Sequence, residues 1–295
     1  MDKKNFFKRH RFRPWIQFAF TALTNGYLLG FFQGKIYTGK SKAICVPGLS
    51  CYSCPGALGS CPIGAMQSVL NSNRYHFSFY VMGFLILIGS LIGRLVCGFL
   101  CPFGWVQDLL YKIPFFQKRK VLPGDRVLKY LKYVVLVLFV FLLPALVTGT
   151  GGQGDPWFCK YICPSGTLMA GIPLVATNEA LRASLGFLFS WKMLLLIAVL
   201  VLSLWSYRPF CRYLCPLGAF YGFFNRISLF RYQVDAATCT QCGACQKACP
   251  HAIDPVKTPN SAECIRCGEC IHTCPQDAIT FFIQTTKENP TKIEN

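Results

Sequence analysis

Eight cysteines near the end of the chain fall into two runs of identical spacing. Residues 238–250 read TCTQCGACQKACP and residues 263–275 read ECIRCGECIHTCP, so each run contains C-x2-C-x2-C-x3-C-P. Thiolates at this spacing are ligands of 4Fe-4S clusters. Zinc sites pair two C-x2-C units and have no use for a third and fourth cysteine or for the repeated proline. The pattern therefore favours two iron–sulfur clusters over a zinc ribbon or a disulfide knot.

Residues 235–282, which contain both runs, resemble the bacterial two-cluster ferredoxins. In such proteins the first three cysteines of a run bind one cluster and the fourth binds the other. The resemblance implies one ligand set of Cys239, Cys242, Cys245 and Cys274, and a second of Cys249, Cys264, Cys267 and Cys270.

A second layer of cysteine motifs indicates an internal duplication. The segments RLVCGFLCPFGWVQDLLYKI from residue 94 and RPFCRYLCPLGAFYGFFNRI from residue 208 share R-x2-C-x3-C-P-x-G. CPIGA at residue 61 and CPSGT at residue 163 form a further matching pair. Two parallel repeats are related by an axis along the membrane normal. Such an axis brings Cys97, Cys101, Cys211 and Cys215 face to face, and it predicts an inner 4Fe-4S site.

Arginine and proline residues flank these inner motifs. Arg94 and Arg208 either offset the negative charge of a cluster or extend their head groups from a helix end toward water; the sequence leaves both interpretations open. Proline suits the first position of a helix. Helices are therefore predicted to begin at Pro102 and Pro216, with their positive ends directed at the preceding cysteines.

The loops on the other side of the duplication hold six cysteines. Three disulfides are one interpretation, since an outer loop faces an oxidising compartment. The reuse of C-x3-C-P and C-P-x-G favours a cluster instead. By symmetry with the inner site its ligands are predicted to be Cys54, Cys61, Cys159 and Cys163, while Cys45 and Cys51 remain unassigned.

Four apolar segments must position these motifs: residues 14–33, 77–96, 130–147 and 187–206. Each approaches the ~20 residues that a membrane-spanning helix needs. The first is interrupted by Gln17, Asn25 and Gln33, so a buried helix is its alternative. The predicted fold is an α-helical membrane domain over 1–232, with repeats at about 14–117 and 130–231. A small α+β ferredoxin domain over 233–282 and a polar tail over 283–295 follow.

Charge supports this organisation more than it supports a nucleic-acid partner. The net charge is +18, but 18 Lys and Arg lie in residues 1–13, 94–132 and 207–233, against 7 in residues 34–76 and 148–192. By the positive-inside rule the first group faces the cytoplasm. Both termini and the ferredoxin domain are therefore predicted to be cytoplasmic, in the plasma membrane of a prokaryote, with no nucleic acid as partner.

Other cofactor motifs are missing from the sequence. There is no C-x-x-C-H for covalent haem and no G-x-G-x-x-G after a strand, so neither haem nor a nucleotide fold is expected. His76 is a candidate proton acceptor for a quinol, although a polar residue at the membrane interface is the simpler interpretation.

Four apolar segments, two inner C-x3-C-P motifs and a double ferredoxin resemble the polyferredoxin membrane proteins of the NapH, MauN and NosR type. The resemblance covers nearly the whole chain. It implies an electron-transfer component with redox-partner proteins, a flavoprotein or a reductase subunit, rather than a stand-alone enzyme with catalytic residues. The outer six-cysteine loops depart from the nitrate-reductase members, and this favours a conduit that continues to the outer face.

Three functions remain open at this stage. The first is a membrane electron carrier between a cytoplasmic partner and an acceptor in or across the membrane. The second is a quinol-dehydrogenase subunit that feeds an extracytoplasmic reductase, with quinone as partner. The third is a thiol-based metal-handling or assembly protein; soft-metal carriers add methionine to cysteine, and the chain has only 5 Met.

Overall fold

The computed structural model describes residues 12–70, 79–114, 118–147 and 155–283. The helices before the strands are α1 Phe12–Thr24, α2 Leu29–Gln33, α3 Pro62–Leu70, α4 Phe79–Ile92, α5 Leu95–Phe99, α6 Pro102–Lys112, α7 Asp125–Leu146, α8 Trp157–Tyr161, α9 over 164–177, α10 Glu179–Ala183, α11 Phe187–Trp205, α12 Pro209–Tyr213 and α13 Pro216–Phe224. A short 3-10 helix covers Lys40–Ala43. The C-terminal part contains β1 Phe230–Val234, α14 Ala244–Ala248, α15 Glu269–Thr273 and β2 Ile279–Ile283.

Two helices in the described part of the chain are long and apolar enough to cross a bilayer. They are α7, with 22 residues, and α11, with 19. At 1.5 Å per residue they measure about 33 and 28 Å, close to the ~30 Å hydrocarbon core. The apolar helix α4 has 14 residues and is shorter than the span predicted over 77–96, whose first two residues lie outside the described ranges. The prediction of four full-length spans is therefore not confirmed.

The apolar segment 14–33 does not form one helix. α1 ends at Thr24, and a second short helix starts only at Leu29. Between them the backbone turns to pair with the following loop: the Tyr27 N–H donates to the Gly56 carbonyl at 3.1 Å, and the Leu58 N–H donates to the Thr24 carbonyl at 3.0 Å. Hydropathy alone favoured a continuous span, but these backbone bonds favour the break.

Short helices pack against α7 at two different heights. α12 contacts its first half, Asp125–Val135, and α13 contacts both that half and the segment Leu136–Leu142. α3 and α8 contact the segment Leu136–Leu142 further along, which is a π-helical stretch. The two pairs of cysteine motifs precede or contain these short helices. The second-repeat inner motif therefore lies beside the first half of α7, and the helices of the outer motifs lie beside the segment Leu136–Leu142.

The ferredoxin domain is small and built around a two-stranded antiparallel sheet. β1 pairs with β2 from Phe230↔Ile283 to Val234↔Ile279. Its helices α14 and α15 begin after Gly243 and Gly268, whose φ angles of 73° and 87° are strained for residues with a Cβ. This architecture agrees with the predicted α+β ferredoxin domain.

Candidate iron–sulfur sites

The inner motifs meet as the duplication predicted. Cys97, Cys101, Cys211 and Cys215 are each at most 6% exposed. Burial raises the pKa of Cys211 to about 12, with contributions from the neighbouring Cys101 and Cys97. Burial likewise raises the pKa of Cys215, with added contributions from Cys211, Cys97 and Cys101. The four thiols therefore lie within electrostatic range of one another in a closed, water-excluded site.

Helix starts hold two of these thiols in place. α6 begins at Pro102 and α13 at Pro216, as predicted, and in each the preceding cysteine is the N-cap. The Cys101 sulfur accepts a hydrogen bond from the Gly104 N–H, and the Cys215 sulfur accepts one from the Gly218 N–H, both at 3.4 Å. Backbone donors and the positive helix end thus face the sulfur, which favours its thiolate form.

The two arginines of the motifs are fully buried, so the interpretation as head groups reaching toward water is wrong. Arg94 of the first repeat donates to the Cys211 carbonyl of the second at 3.2 Å. Arg208 of the second repeat donates to the Cys97 carbonyl of the first. This reciprocity is what a two-fold relation between the repeats requires, and it places positive charge on both sides of the four thiols.

Asp108 neutralises one of these arginines. Its carboxylate accepts from Arg208 Nε at 2.6 Å and from Arg208 Nη2 at 2.5 Å, and it also accepts from Arg13 Nη2 at 2.6 Å. Burial disfavours its charge, yet Arg208 and Arg13 hold the pKa of Asp108 at about 2. The pair bridges 100 residues of sequence, so no local pattern signals it.

The outer motifs also converge, and Cys51 lies with three of the four cysteines predicted as ligands; the assignment of Cys54 as the fourth ligand is not tested. Burial raises the pKa of Cys61 to about 12, with contributions from Cys163 and Cys51. Burial is the largest cause of the raised pKa of Cys159, and smaller contributions come from Cys163, Cys61 and Cys51. The sulfurs of Cys51 and Cys163 lie 3.6 and 3.8 Å from the position that a Cβ on Gly166 would occupy.

Cys51, rather than Cys54, is thus the thiol placed with the other three. The Cys54 N–H bonds back to the Cys51 carbonyl at 3.0 Å in a tight turn, and the Cys54 sulfur interacts with the backbone of Gly56 and Ala57. Symmetry with the C-x3-C spacing of the inner motif could not anticipate this, since ten residues of looped chain carry Cys51 to Cys61.

Two buried glutamines that sequence reasoning missed bond to cysteine sulfurs. Gln107 Nε2 donates to Cys211 Sγ at 3.3 Å, and Gln67 Nε2 donates to Cys159 Sγ at 3.4 Å. Each glutamine stands six residues after the C-P cysteine of its own loop. The repeated C-P-x-G-x-x-Q was the available signal.

The structure brings the ferredoxin cysteines together in two groups, and their assignment as two ligand sets stays a prediction. Cys239, Cys242, Cys245 and Cys274 line one small cavity. Burial raises the pKa of Cys270, and the next contributions come from Cys267, Cys264 and Cys249. In each set the fourth thiol comes from the other run.

The second ferredoxin set lies directly against the inner site. A Cβ on Gly98, which follows Cys97, would collide with the carbonyl of Ile265, which follows Cys264. The Asn225 side chain donates to the Ser261 and Cys264 carbonyls at 2.9 and 2.7 Å. The ferredoxin domain therefore docks with its second cysteine set facing the inner motif.

The outer loop approaches the inner site from the other side. A Cβ on Gly48 would lie 2.5 Å from the Leu100 carbonyl oxygen and 3.1 Å from the Cys101 Cα. The Leu49 N–H interacts with the Cys101 thiol. Tyr221 is fully buried and donates to the Pro47 carbonyl at 3.2 Å. The loop thus folds back into the helical domain until it touches the inner motif.

The donor sets fit 4Fe-4S clusters. All 18 cysteines are free thiols. Among the described residues no three His, Cys, Asp or Glu side chains converge to hold a single metal ion. A 4Fe-4S cluster does not require such convergence, because each thiolate binds a different iron atom. His76 lies outside the described residues.

Comparisons with known proteins agree with this chemistry. A family model described as a 4Fe-4S binding domain matches residues 75–123, 133–175 and 187–233. A second, described as a 4Fe-4S dicluster domain, matches residues 231–275. No solved structure matches the chain.

Curated relatives include the methylamine utilization ferredoxin-type protein MauN of Paracoccus denitrificans, which is 34% identical over 58% of this chain and 53% of its own length. The putative electron transport protein YccM of Escherichia coli is 30% identical over 57% of the chain and 44% of its own. The ferredoxin-type protein NapH of Haemophilus influenzae is 29% identical over 57% and 52%. The chain covers less than two thirds of each relative. It is a 4Fe-4S ferredoxin-like protein of the NapH and MauN type.

Proposed function

We propose that this protein carries electrons across a membrane through four cysteine sites arranged in series. The observation that carries the proposal is the packing of cysteine-motif helices along α7, a helix long enough to cross the bilayer: α12 contacts its first half, and α3 and α8 contact the segment further along. The ferredoxin sets adjoin the inner layer and the outer loop touches it from the other side. When bound, 4Fe-4S clusters supply one-electron redox chemistry, and the protein supplies ligands and position.

The proposed ligands follow from the thiols that lie together. They are Cys239, Cys242, Cys245 and Cys274; Cys249, Cys264, Cys267 and Cys270; Cys97, Cys101, Cys211 and Cys215; and Cys51, Cys61, Cys159 and Cys163. Cys51 replaces Cys54 in the last set. The tight docking of α3 and α9 within the helical domain supports short re-entrant helices at the outer site, which protein contacts make tolerable in a membrane.

The proposed orientation places the ferredoxin domain in the cytoplasm of a prokaryote, where the positive-inside rule puts its flanking basic segments. Four apolar segments would anchor the chain, with α7 and α11 as the full spans. An inside-negative potential favours outward electron movement by about 2.3 kcal/mol per 100 mV. This suits a low-potential cytoplasmic donor and an acceptor at the outer face.

Iron counting tests the ligand sets. The anaerobically purified native chain should contain about sixteen iron atoms, four for each of four sites. The variant Cys51→Ser should lose about four of them, whereas the matched variant Cys54→Ser should lose none. Equal iron in the native chain and in Cys51→Ser would remove Cys51 from the outer site.

Transmembrane transfer is tested in proteoliposomes. With a reduced low-potential donor on the ferredoxin side, the native protein should reduce an impermeant acceptor on the opposite side without added quinone. Cys61→Ser/Cys163→Ser should abolish this while the ferredoxin sites are still reduced. Transfer that persists in this variant would refute a path through the outer site.

A cavity gives specific support to a second candidate, quinol oxidation. It has a volume of about 640 Å³ and lies between α1, α6 and the ferredoxin domain. Trp15, Trp105 and Tyr207 line it together with Ala248 and Pro250, which flank Cys249. This volume falls within the range of ligand pockets. Under this alternative a quinone analogue would change cluster reduction in membranes, and transfer to an impermeant acceptor would require quinone.

A further inference from the structure

Gln107 makes two contacts that fix the direction of its amide. Its side chain is fully buried in α6. Its Oε1 accepts from the Phe210 N–H at 3.3 Å, and its Nε2 donates to Cys211 Sγ at 3.3 Å. Because a backbone N–H can only donate, the oxygen must face Phe210 and the NH2 group must face the sulfur. The residue thus reaches from the first repeat to a thiol of the second.

Gln67 repeats this arrangement in the outer layer. It is also fully buried. Its Oε1 accepts from the Phe158 N–H at 3.0 Å, and its Nε2 donates to Cys159 Sγ at 3.4 Å. Both glutamines therefore clamp the N–H before the first cysteine of the second-repeat pair and donate to that cysteine's sulfur. Two independent copies of one geometry argue against a chance packing contact.

The duplication is broken at these positions. Six residues after Cys163 and Cys215, the second repeat has Met169 and Tyr221. The Met169 sulfur accepts from Ser165 Oγ at 3.4 Å, and the Tyr221 hydroxyl donates to the Pro47 carbonyl. Each site therefore receives a side-chain amide from one repeat only.

A hydrogen bond to a ligand sulfur favours the more negative, reduced form of a cluster. Hydrogen bonding to the sulfurs is one of the factors that set cluster potentials. It acts strongly in a buried site, where the effective dielectric constant is low. Glycine N–H groups donate to cysteine sulfurs in both repeats. A side-chain amide donor, by contrast, reaches only one thiolate in each site, and a glutamine supplies it.

We propose that Gln107 and Gln67 are positioning residues that raise the reduction potentials of the inner and outer sites, respectively, through one thiolate each. The inference rests on the proposed function, because it requires a 4Fe-4S cluster at both sites. It extends that function by assigning a separate tuning group to each membrane site.

The test is a potentiometric titration of the full-length protein followed by electron paramagnetic resonance. Difference spectra against Cys97→Ser/Cys211→Ser and Cys61→Ser/Cys163→Ser assign the inner and outer signals. Gln107→Met, which keeps the length but removes the donor, should lower the inner potential alone. Gln67→Met should lower the outer potential alone. We expect the reduced-to-oxidised ratio at the native midpoint to fall about tenfold, as for loss of a hydrogen bond to a charged group.

Gln107→Glu is the conservative variant. A carboxyl group beside thiolates retains its proton, so it can still donate to Cys211, and the potential should stay near the native value until the proton is lost at higher pH. If Gln107→Met loses its iron, the outer potential in Gln67→Met becomes the deciding measurement.

The outcomes separate the two levels of the proposal. Native protein without clusters at the membrane sites refutes both the function and this inference. If the clusters are present but the methionine variants leave both potentials unchanged, or change both equally, the tuning role is refuted. The electron-transfer function is then unaffected.

Discussion

Two fully buried cations lie at the docking surface of the ferredoxin domain. Within the described residues, Glu263 is the only carboxylate that forms an ion pair with either of them. Its carboxylate accepts from Arg94 Nη1 at 3.2 Å and from Lys132 Nζ. Both cations belong to the helical domain and are 0% exposed. Replacing the carboxylate with an amide in Glu263→Gln removes the one ion-pair partner that the structure records for both buried cations.

The magnitude follows from this burial. Removing one partner of a buried ion pair costs about 3–5 kcal/mol. The Glu263 side chain is 13% exposed, so the lower end applies, and we expect the docked state to lose about 3 kcal/mol. At 1.4 kcal/mol per factor of ten, the undocked population should rise about 100-fold. Bonds from Asn225 and Arg266 remain, so docking should weaken without disappearing.

Hydrogen exchange of backbone amides in residues 258–268 measures the undocked population, because protection there reflects local opening. Protection should fall about 100-fold in Glu263→Gln. The same substitution at the exposed Glu179 is the matched control and should have no effect. Iron content identifies any loss of the cluster. Protection equal in Glu263→Gln, Glu179→Gln and native protein, at native iron content, would refute the reasoning.

Three further predictions concern close packing and topology. In Gly218→Ala the new Cβ would meet the Cys211 carbonyl oxygen at 3.1 Å and Arg94 Nη2 at 3.2 Å, so chemical denaturation should show a loss of about 1–3 kcal/mol. Gly83→Ala, with nothing within 4 Å, should be stabilising by about 0.5–1 kcal/mol; equal effects of the two would contradict this reading. Gly48→Ala should push the outer loop from Leu100 and slow reduction of an outer acceptor at unchanged iron content. A reporter that is active only in the cytoplasm should be active when it is fused to either terminus. An N-terminus found outside the cell would reverse the proposed orientation.

The sequence could predict the inner site because its pattern is local and repeated. Two C-x3-C-P motifs of equal spacing fix both the pairing of the four thiols and the helix starts at Pro102 and Pro216. The ferredoxin sets were predictable for the same reason. A motif in which most cysteines lie within one turn and one helix start leaves the chain little freedom.

The outer site could be predicted only in part. Cys159 and Cys163 keep the C-x3-C spacing, but the first-repeat loop carries its first cysteine to the site along an irregular path. The choice of Cys51 over Cys54 depends on how residues 45–61 fold back against Gly166 and Cys101. Composition and periodicity carry no information on such a path.

The sequence also could not predict the long-range polar contacts or the break in the first apolar segment. Asp108 and Arg208 are 100 residues apart, and only the assembled duplication brings them together. The apolar composition of residues 14–33 favours a continuous span, whereas the structure ends α1 at Thr24 so that the backbone can bond to the loop around Gly56. Hydropathy measures the preference for lipid, and it does not measure this competition for backbone hydrogen bonds.

The duplication is also what would let a short chain build the proposed path through a membrane. Each repeat contributes two cysteines to the inner group of thiols and two to the outer group, so one two-fold relation brings together two groups of four thiols. The arginines exchange between repeats at the inner height, and Gly104 and Gly218 leave room for them, since a Cβ at either would crowd the guanidinium group. Where the repeats differ, at Gln107 against Tyr221 and in the loop that carries Cys51, the differences tune one site or bring the outer loop to the inner one. Symmetry therefore supplies the thiols of both groups, and the departures from symmetry give the two groups different surroundings.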